Sequence, residues 1–173
     1  MPDELFSRAT IEAAFSALSD SLVARETQST IVLFGDAAMM FAFDARDAID
    51  HVDGSAKPRG LTLGAARDAA TVLGLPHHWL NDQRVSSLAR DHADDVLPLW
   101  TAPNLEVVSI SAEQLLAMKA LAPERPADLD DLRLLSERTG IKYLIDAEIL
   151  VAEIFPGKTL NAKVRTTLEG VFA

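Results

Sequence analysis

Apolar residues recur at helical spacing along much of this chain. The first such stretch predicts an amphipathic helix over residues 8 to 25. Its apolar positions are Ile11, Phe15, Leu18 and Leu22. "TLGAARDAATVLGLP" has the composition of a second helix, and Gly74 is typical of its end. Farther along, the pattern predicts a helix over about residues 127 to 138 and then two more, separated at Pro156 and Gly157.

Shorter apolar runs predict strands between these helices. "STIVLFG" is typical of a buried strand that ends at Gly35, and "DAAMMFAF" of a helix behind it. A second short strand, about Ala48 to Val52, would carry several aspartates and stop at "DGS". "HHWLNDQ" predicts an irregular segment. "NLEVV" predicts a strand, and a helix follows whose start is indicated by the capping-box pattern of Ser111 and Gln114.

The order of these elements predicts an α+β fold, because strands alternate with helices at first and helices alone follow. We expect one domain over residues 1–173, with an α/β portion over about 1–110 and a helical portion over about 111–173. With 49% hydrophobic residues the chain can bury a substantial core.

The composition of the chain argues against several classes of function. The chain lacks cysteine, which excludes thiolate chemistry and favours a reducing compartment, so we expect a cytoplasmic protein. No apolar run is long enough to cross a membrane, and we expect no membrane association. The net charge of -10 argues against a broad nucleic-acid footprint, so any such contact should be local. The sequence has no Walker loop, "GxSxG" or dinucleotide-binding glycine motif.

Asp47, Asp50 and Asp53 form the first candidate site. Carboxylates two residues apart on a strand share a face and can hold a hard cation such as Mg²⁺. These three are three residues apart, and the positions two residues from Asp50 are Ala48 and Val52. The alternative interpretation is that the aspartates only end a strand and cap a turn.

Lys119, Asp128 and Asp131 form the second candidate site. The two aspartates lie three residues apart on one predicted helix face, and a lysine nearby can balance phosphate charge. The alternative is that acidic residues simply favour the first turn of a helix.

The remaining polar and aromatic residues offer less chemistry. The four histidines lack the i, i+4 spacing of a helical zinc pair, so we expect surface or locally hydrogen-bonded side chains. They are His51, His77, His78 and His92. Trp79 and Leu80 are expected to be core anchors.

Taken in order, "LFGDAAMMFAF", "ARDAIDHVDG", "GLPHHWLNDQ" and "LLAMKALAPERPADLDDLRLL" resemble the DUF6036 group of the nucleotidyltransferase superfamily, which is related to AbiE-type and MenT-type toxins. The resemblance covers residues from about 30 onward. It implies a small mixed sheet flanked by helices that binds Mg²⁺ and a nucleoside triphosphate. It further implies transfer of a nucleoside monophosphate to RNA, notably the 3′ end of tRNA, and a cognate antitoxin as partner; the oligomeric state stays open.

The resemblance also implies roles for individual residues. Gly35 matches the start of the turn that admits the triphosphate, and Lys119 the phosphate-contacting, catalytic lysine. Asp50 matches one member of the metal pair, with Asp47 or Asp53 as a replacement ligand. The later acidic residue of the catalytic group is Asp128 or Asp131.

Two positions depart from the family pattern. Asp36 occupies the second position of the nucleotide-binding turn, where its carboxylate would repel a triphosphate unless a cation lay against it. Ala48 stands where the first aspartate of the metal pair is expected. Three hypotheses follow: an active nucleotidyltransferase, a catalytically inactive binding module on the same fold that acts through a protein partner, or an unrelated α+β domain.

Overall fold

A computed structural model describes residues 4–84 and 95–173 of the chain. The fold is α+β, with a mixed five-stranded sheet and a separate two-stranded sheet among the described residues. The chain divides into two compact units. The sheet unit contains the described residues up to 84 together with Val96–Ile110. The helical unit contains Asp95 and Ser111–Ala173.

The elements of the sheet unit, in chain order, are β1 (Phe6–Ser7), α1 (Arg8–Ala24), β2 (Ser29–Leu33), α2 (Gly35–Phe43), β3 (Ala48–Ile49), β4 (Val52–Lys57), α3 (Arg59–Leu73), β5 (Leu80–Asn81), β6 (Val96–Ala102) and β7 (Leu105–Ile110). Those of the helical unit are α4 (Ala112–Leu121), α5 (Pro126–Thr139), α6 (Leu144–Ile154) and α7 (Ala162–Leu168).

The five-stranded sheet has the order β5-β4-β2-β7-β6. β2 lies between β7, to which it is parallel, and β4, to which it is antiparallel. β5 extends β4 in parallel, and β6 forms an antiparallel hairpin with β7. The central strands β2 and β7 are buried at three of five and five of six residues, as expected for strands covered on both faces. The small sheet pairs β1 with β3.

The core of the sheet unit is built around Phe15 of α1. Its ring lies 5.5 to 6.0 Å, centroid to centroid, from the rings of Phe41, Trp79 and Trp100. The Trp79 indole N–H donates to the Ala66 carbonyl at 2.9 Å, which satisfies its polar atom inside the core. Trp79 and Leu80 are 1% and 5% exposed, so their predicted role as core anchors is confirmed.

In the helical unit, α4 packs against α5, α6 and α7. The predicted cap of α4 is confirmed, since the Ser111 hydroxyl accepts the Gln114 backbone N–H at 3.2 Å. α5 begins at Pro126, a favoured first helical residue, and ends before Gly140. None of the helices in the two described stretches is long and apolar enough to cross a membrane.

The helices agree with the sequence pattern, whereas two predictions in the strand regions were wrong and two strands, β1 and β6, were not predicted. The strand expected at Ala48 to Val52 is two strands, and the second continues through "DGS" to Lys57 instead of stopping there. The segment "HHWLNDQ" contains β5, which was expected to be irregular. β6 was not predicted, because Pro98 interrupts its apolar pattern; the pairing with β7 shifts register between Pro98 and Trp100.

Candidate functional site

The carboxyl end of β2 forms a turn that lies directly against an aspartate of β4. Gly35, which starts α2, has a φ of 60°, a left-handed conformation that favours glycine. A Cβ added to Gly35 would lie 2.9 Å from Asp53 Oδ2. The Phe34 backbone N–H donates to the Asp53 carbonyl at 3.1 Å, so main chain and side chain of Asp53 both contact the turn.

Asp53 is the buried aspartate of the predicted metal group, and its neighbours are polar. In the parallel pairing of β4 and β5 it lies opposite Asn81, whose amide donates to Asp53 Oδ1 at 3.4 Å. His51 Nε2 lies 3.2 Å from the same oxygen. The side chain of Asp53 is 10% exposed, so it is the least hydrated carboxylate at this end of the sheet.

His51 lies between Asp50 and Asp53. Its Nδ1 is 2.6 Å from Asp50 Oδ1, while its Nε2 faces Asp53. The hydrogen bond to Asp53 raises the pKa of His51 above its usual 6.5; burial opposes this shift, and the charges of Asp53 and Asp50 add to it. Because the two ring nitrogens point away from each other, the imidazole holds the two carboxylates apart.

The turn residue Asp36 has a cationic neighbour. Arg46 Nη2 lies 3.2 Å from Asp36 Oδ1, and both side chains are largely buried. This ion pair offsets the carboxylate that would otherwise repel a triphosphate at the turn. Asp47, the third residue of the predicted metal group, is exposed.

Mg²⁺ is the metal implied by the resemblance. Within residues 4–84 and 95–173, no group of three or more His, Cys, Asp or Glu side chains is arranged to hold a metal ion. Mg²⁺ is often held by one or two carboxylates together with substrate phosphates and waters, and imidazole suits it poorly. The buried carboxylate of Asp53 fits that requirement, while His51 does not.

The second candidate group lies within the helical unit. Lys119 of α4 is bonded to two aspartates of α5, with its Nζ 3.1 Å from Asp128 Oδ1 and 2.8 Å from Asp131 Oδ2. All three side chains are 10% exposed or less. The predicted cluster of Lys119, Asp128 and Asp131 therefore exists as a compact, buried ion triad.

Asp128 also caps α5. Its Oδ2 accepts the backbone N–H groups of Glu124 and Arg125 at 3.0 and 2.9 Å. Burial alone would raise the pKa of Asp128, but the Arg125 N–H, the charge and hydrogen bond of Lys119 and the Glu124 N–H outweigh it and lower the pKa to about 2. Asp128 therefore does lie in the first turn of a helix, as the alternative interpretation expected, and it pairs with Lys119 as well.

The predicted site residues therefore form two groups. In the sheet unit, Gly35 lies against Asp53, and His51 links Asp53 to Asp50. The Lys119 triad belongs to the helical unit. Comparison of the chain with protein-family models, curated proteins and solved structures returned no match.

Three residues of the sheet-unit site were missed as functional candidates. His51 stands two residues before Asp53, the spacing that was sought only between carboxylates. Arg46 lies ten residues after its partner Asp36, a separation that has no local signal. Asn81 reaches Asp53 through the short strand β5, which the sequence did not reveal. His51 was expected to be locally bonded, which is confirmed, and His92 lies outside the described residues.

Replacing Gly35 by alanine should cost more stability than the same change at another left-handed glycine. Gly74 has a φ of 69° and open space around its Cβ position, so Gly74→Ala carries only backbone strain, about 1 to 2 kcal/mol. Gly35→Ala carries similar strain and also displaces Asp53. Urea unfolding of both variants, alone and with Asp53→Ala, measures the contact; equal costs at the two glycines would contradict it.

Lys119→Ala should lower the free energy of unfolding by about 3 to 5 kcal/mol, because it removes the ammonium group that two buried carboxylates contact. Asp130→Asn, on the same helix but 79% exposed at its side chain, should change it by less than about 0.5 kcal/mol. Chemical denaturation measures both. Combining Lys119→Met with Asp131→Asn should recover part of the loss, and a Lys119→Ala cost near zero would refute the buried triad.

The contribution of Asp128 should depend on pH. Its folded pKa of about 2 is below its ordinary value of 3.8, so the stabilisation is complete above 3.8 and is lost as the pH falls toward 2. The destabilisation caused by Asp128→Asn should therefore shrink by about 2 kcal/mol over that range. Unfolding curves of wild type and variant at several acidic pH values test this. A difference that is independent of pH would contradict the assigned shift.

Proposed function

We propose that this chain is a nucleotidyltransferase-like protein that binds a nucleoside triphosphate with Mg²⁺ at the Gly35 turn and transfers a nucleoside monophosphate to RNA, notably the 3′ end of tRNA. The observation that carries the proposal is the contact of the left-handed Gly35 turn with the buried carboxylate of Asp53. A glycine turn followed by a helix exposes backbone N–H groups to phosphate oxygens, and a carboxylate beside it can position the cation that accompanies them.

The surroundings of the turn support this assignment. The ion pair of Asp36 with Arg46 removes the electrostatic objection that the sequence raised against a triphosphate. Asp53 would hold Mg²⁺, whose chemistry is to offset charge on the phosphate that is attacked. The Asn81 amide and the Gly35 backbone fix the position of that carboxylate. Lys119, Asp128 and Asp131, for which the resemblance implies catalytic roles, lie in the helical unit and already pair with one another, so the proposal rests on the sheet unit alone.

A second candidate function is a catalytically inactive module that acts through a protein partner, such as a cognate antitoxin. Two observations favour it. His51 occupies the position two residues from Asp53, where a second carboxylate would complete a metal pair. Lys119 already contacts two carboxylates, which leaves less of its charge for a phosphate.

Thermal unfolding with a panel of nucleoside triphosphates, with and without Mg²⁺, distinguishes the two candidates. A triphosphate at about 100 times its Kd should raise the Tm of the wild type by roughly 5 to 10 °C in the presence of Mg²⁺. Asp53→Asn should abolish the Mg²⁺-dependent part of this shift, because it removes the buried anionic ligand. Asp47→Asn, an exposed carboxylate in the same region, is the matched control and should leave the shift intact.

Incubation with labelled triphosphate and a tRNA pool then tests the transfer itself. Label on RNA that depends on Asp53 supports an active enzyme. Absence of any triphosphate-dependent Tm shift would refute the proposal and favour the inactive module. Lys119→Ala is a poor probe of catalysis alone because the buried triad makes it destabilising, so its activity should be compared with that of Lys119→Met/Asp131→Asn.

A further inference from the structure

We infer that the cleft between α3 and the segment leading through β5 binds a single-stranded RNA end, and is the acceptor site beside the proposed nucleotide site. This cleft, termed the α3 cleft, has a volume of 320 Å³. All of its lining residues that the structure describes belong to the sheet unit. The inference rests on the proposed function for its choice of RNA as occupant, and its own test requires no nucleotide.

The α3 cleft brings two arginines and two histidines together on a chain that is strongly acidic. Arg59 and Arg67 come from α3, and His77 and His78 from the segment before β5; all four are exposed. Among the described residues that line the cleft, only Asp82 carries a carboxylate, and it is paired with Arg59. A chain with a net charge of -10 repels a polyanion in general, so a surface cleft in which two arginines face one carboxylate is a place where local contact with phosphates is possible.

The types of side chain in the α3 cleft match the parts of an unpaired nucleotide. Guanidinium groups bind phosphates through paired N–H donors. Imidazole and guanidinium planes are surfaces on which unpaired RNA bases stack. The Gln83 amide can donate to and accept from a base edge, while the Asn81 amide donates to Asp53 and accepts the Gln83 backbone N–H. A cleft of 320 Å³ is at the small end of ligand pockets, so it suits one strand rather than a duplex.

Asn81 connects the α3 cleft to the proposed nucleotide site. It lines the cleft and donates to Asp53 Oδ1 at 3.4 Å. Asn81 therefore lies between an RNA end held in the cleft and the Asp53 carboxylate that faces the Gly35 turn. This adjacency is what an acceptor site requires, because the attacking hydroxyl has to be placed beside the bound triphosphate.

Fluorescence anisotropy with a labelled single-stranded RNA of about 12 nucleotides, without nucleotide or Mg²⁺, tests the inference. Wild type should bind with an affinity that falls as salt rises. Arg67→Ala should weaken binding about tenfold and reduce the salt slope by about 0.7, because one phosphate contact is lost. His78→Ala should weaken it about tenfold with little change of slope, because a stacking surface is lost.

Arg133→Ala is the matched control, since it removes an exposed arginine of the helical unit and should leave RNA binding unchanged. Unchanged binding by Arg67→Ala and His78→Ala would overturn the inference, as would failure of the wild type to bind RNA at low salt. If polyglutamate displaces the labelled RNA as well as unlabelled RNA does, the inference is overturned and an acidic protein becomes the better occupant of the α3 cleft. A Mg²⁺-triphosphate Tm shift in a protein that does not bind RNA would leave nucleotide binding standing and remove only the α3 cleft.

Discussion

The close contact between Gly35 and Asp53 is the constraint on which the sheet-unit site depends. With a Cβ at residue 35 the Asp53 carboxylate could not keep its position. Gly54, which follows Asp53 on β4, is also confined, because a Cβ there would lie 3.0 Å from the Ile31 side chain and 3.2 Å from that of Leu80. Two glycines thus let β4 approach the end of β2 on one side and β5 on the other. Asp53 is consequently fixed by backbone geometry, and its charge stays buried at the sheet edge.

Each of the partly or fully buried aspartates described above has a cation or hydrogen-bond donors beside it. Asp36 has Arg46 and Asp131 has Lys119, while Asp53 has the His51 ring and the Asn81 amide. Burying a charge without such a partner would cost more than the fold can offset. The pairing has a functional consequence, because a cation that already offsets a carboxylate has less charge to offer an incoming phosphate. Net charge therefore says little about where a polyanion could bind.

The sequence predicted the helices well because their signals are local. Ser111 caps α4 and Gly140 ends α5 through contacts within a few residues. The strands were harder, because β3 and β5 are two residues long and exist only through pairing with distant segments. The common helix face of Asp128 and Asp131 was predictable from their i, i+3 spacing, whereas their contact with Lys119 of another helix was not. The Asp53 environment was not, because it depends on tertiary pairing across the sheet.

The two candidate groups differ in what they can offer to a phosphate group, and therefore in the chemistry they can perform. The triad carries one positive and two negative charges, and the partly exposed Arg125 beside Asp128 moves that balance toward neutrality. A phosphate gains little from such a cluster, whose low exposure and helix cap are typical of an element that holds α5 on α4. The Gly35 turn offers backbone donors instead, and the α3 cleft offers guanidinium groups at the surface. The proposed phosphate chemistry is therefore best sought in the sheet unit, with Lys119 contributing first to the stability of the helices.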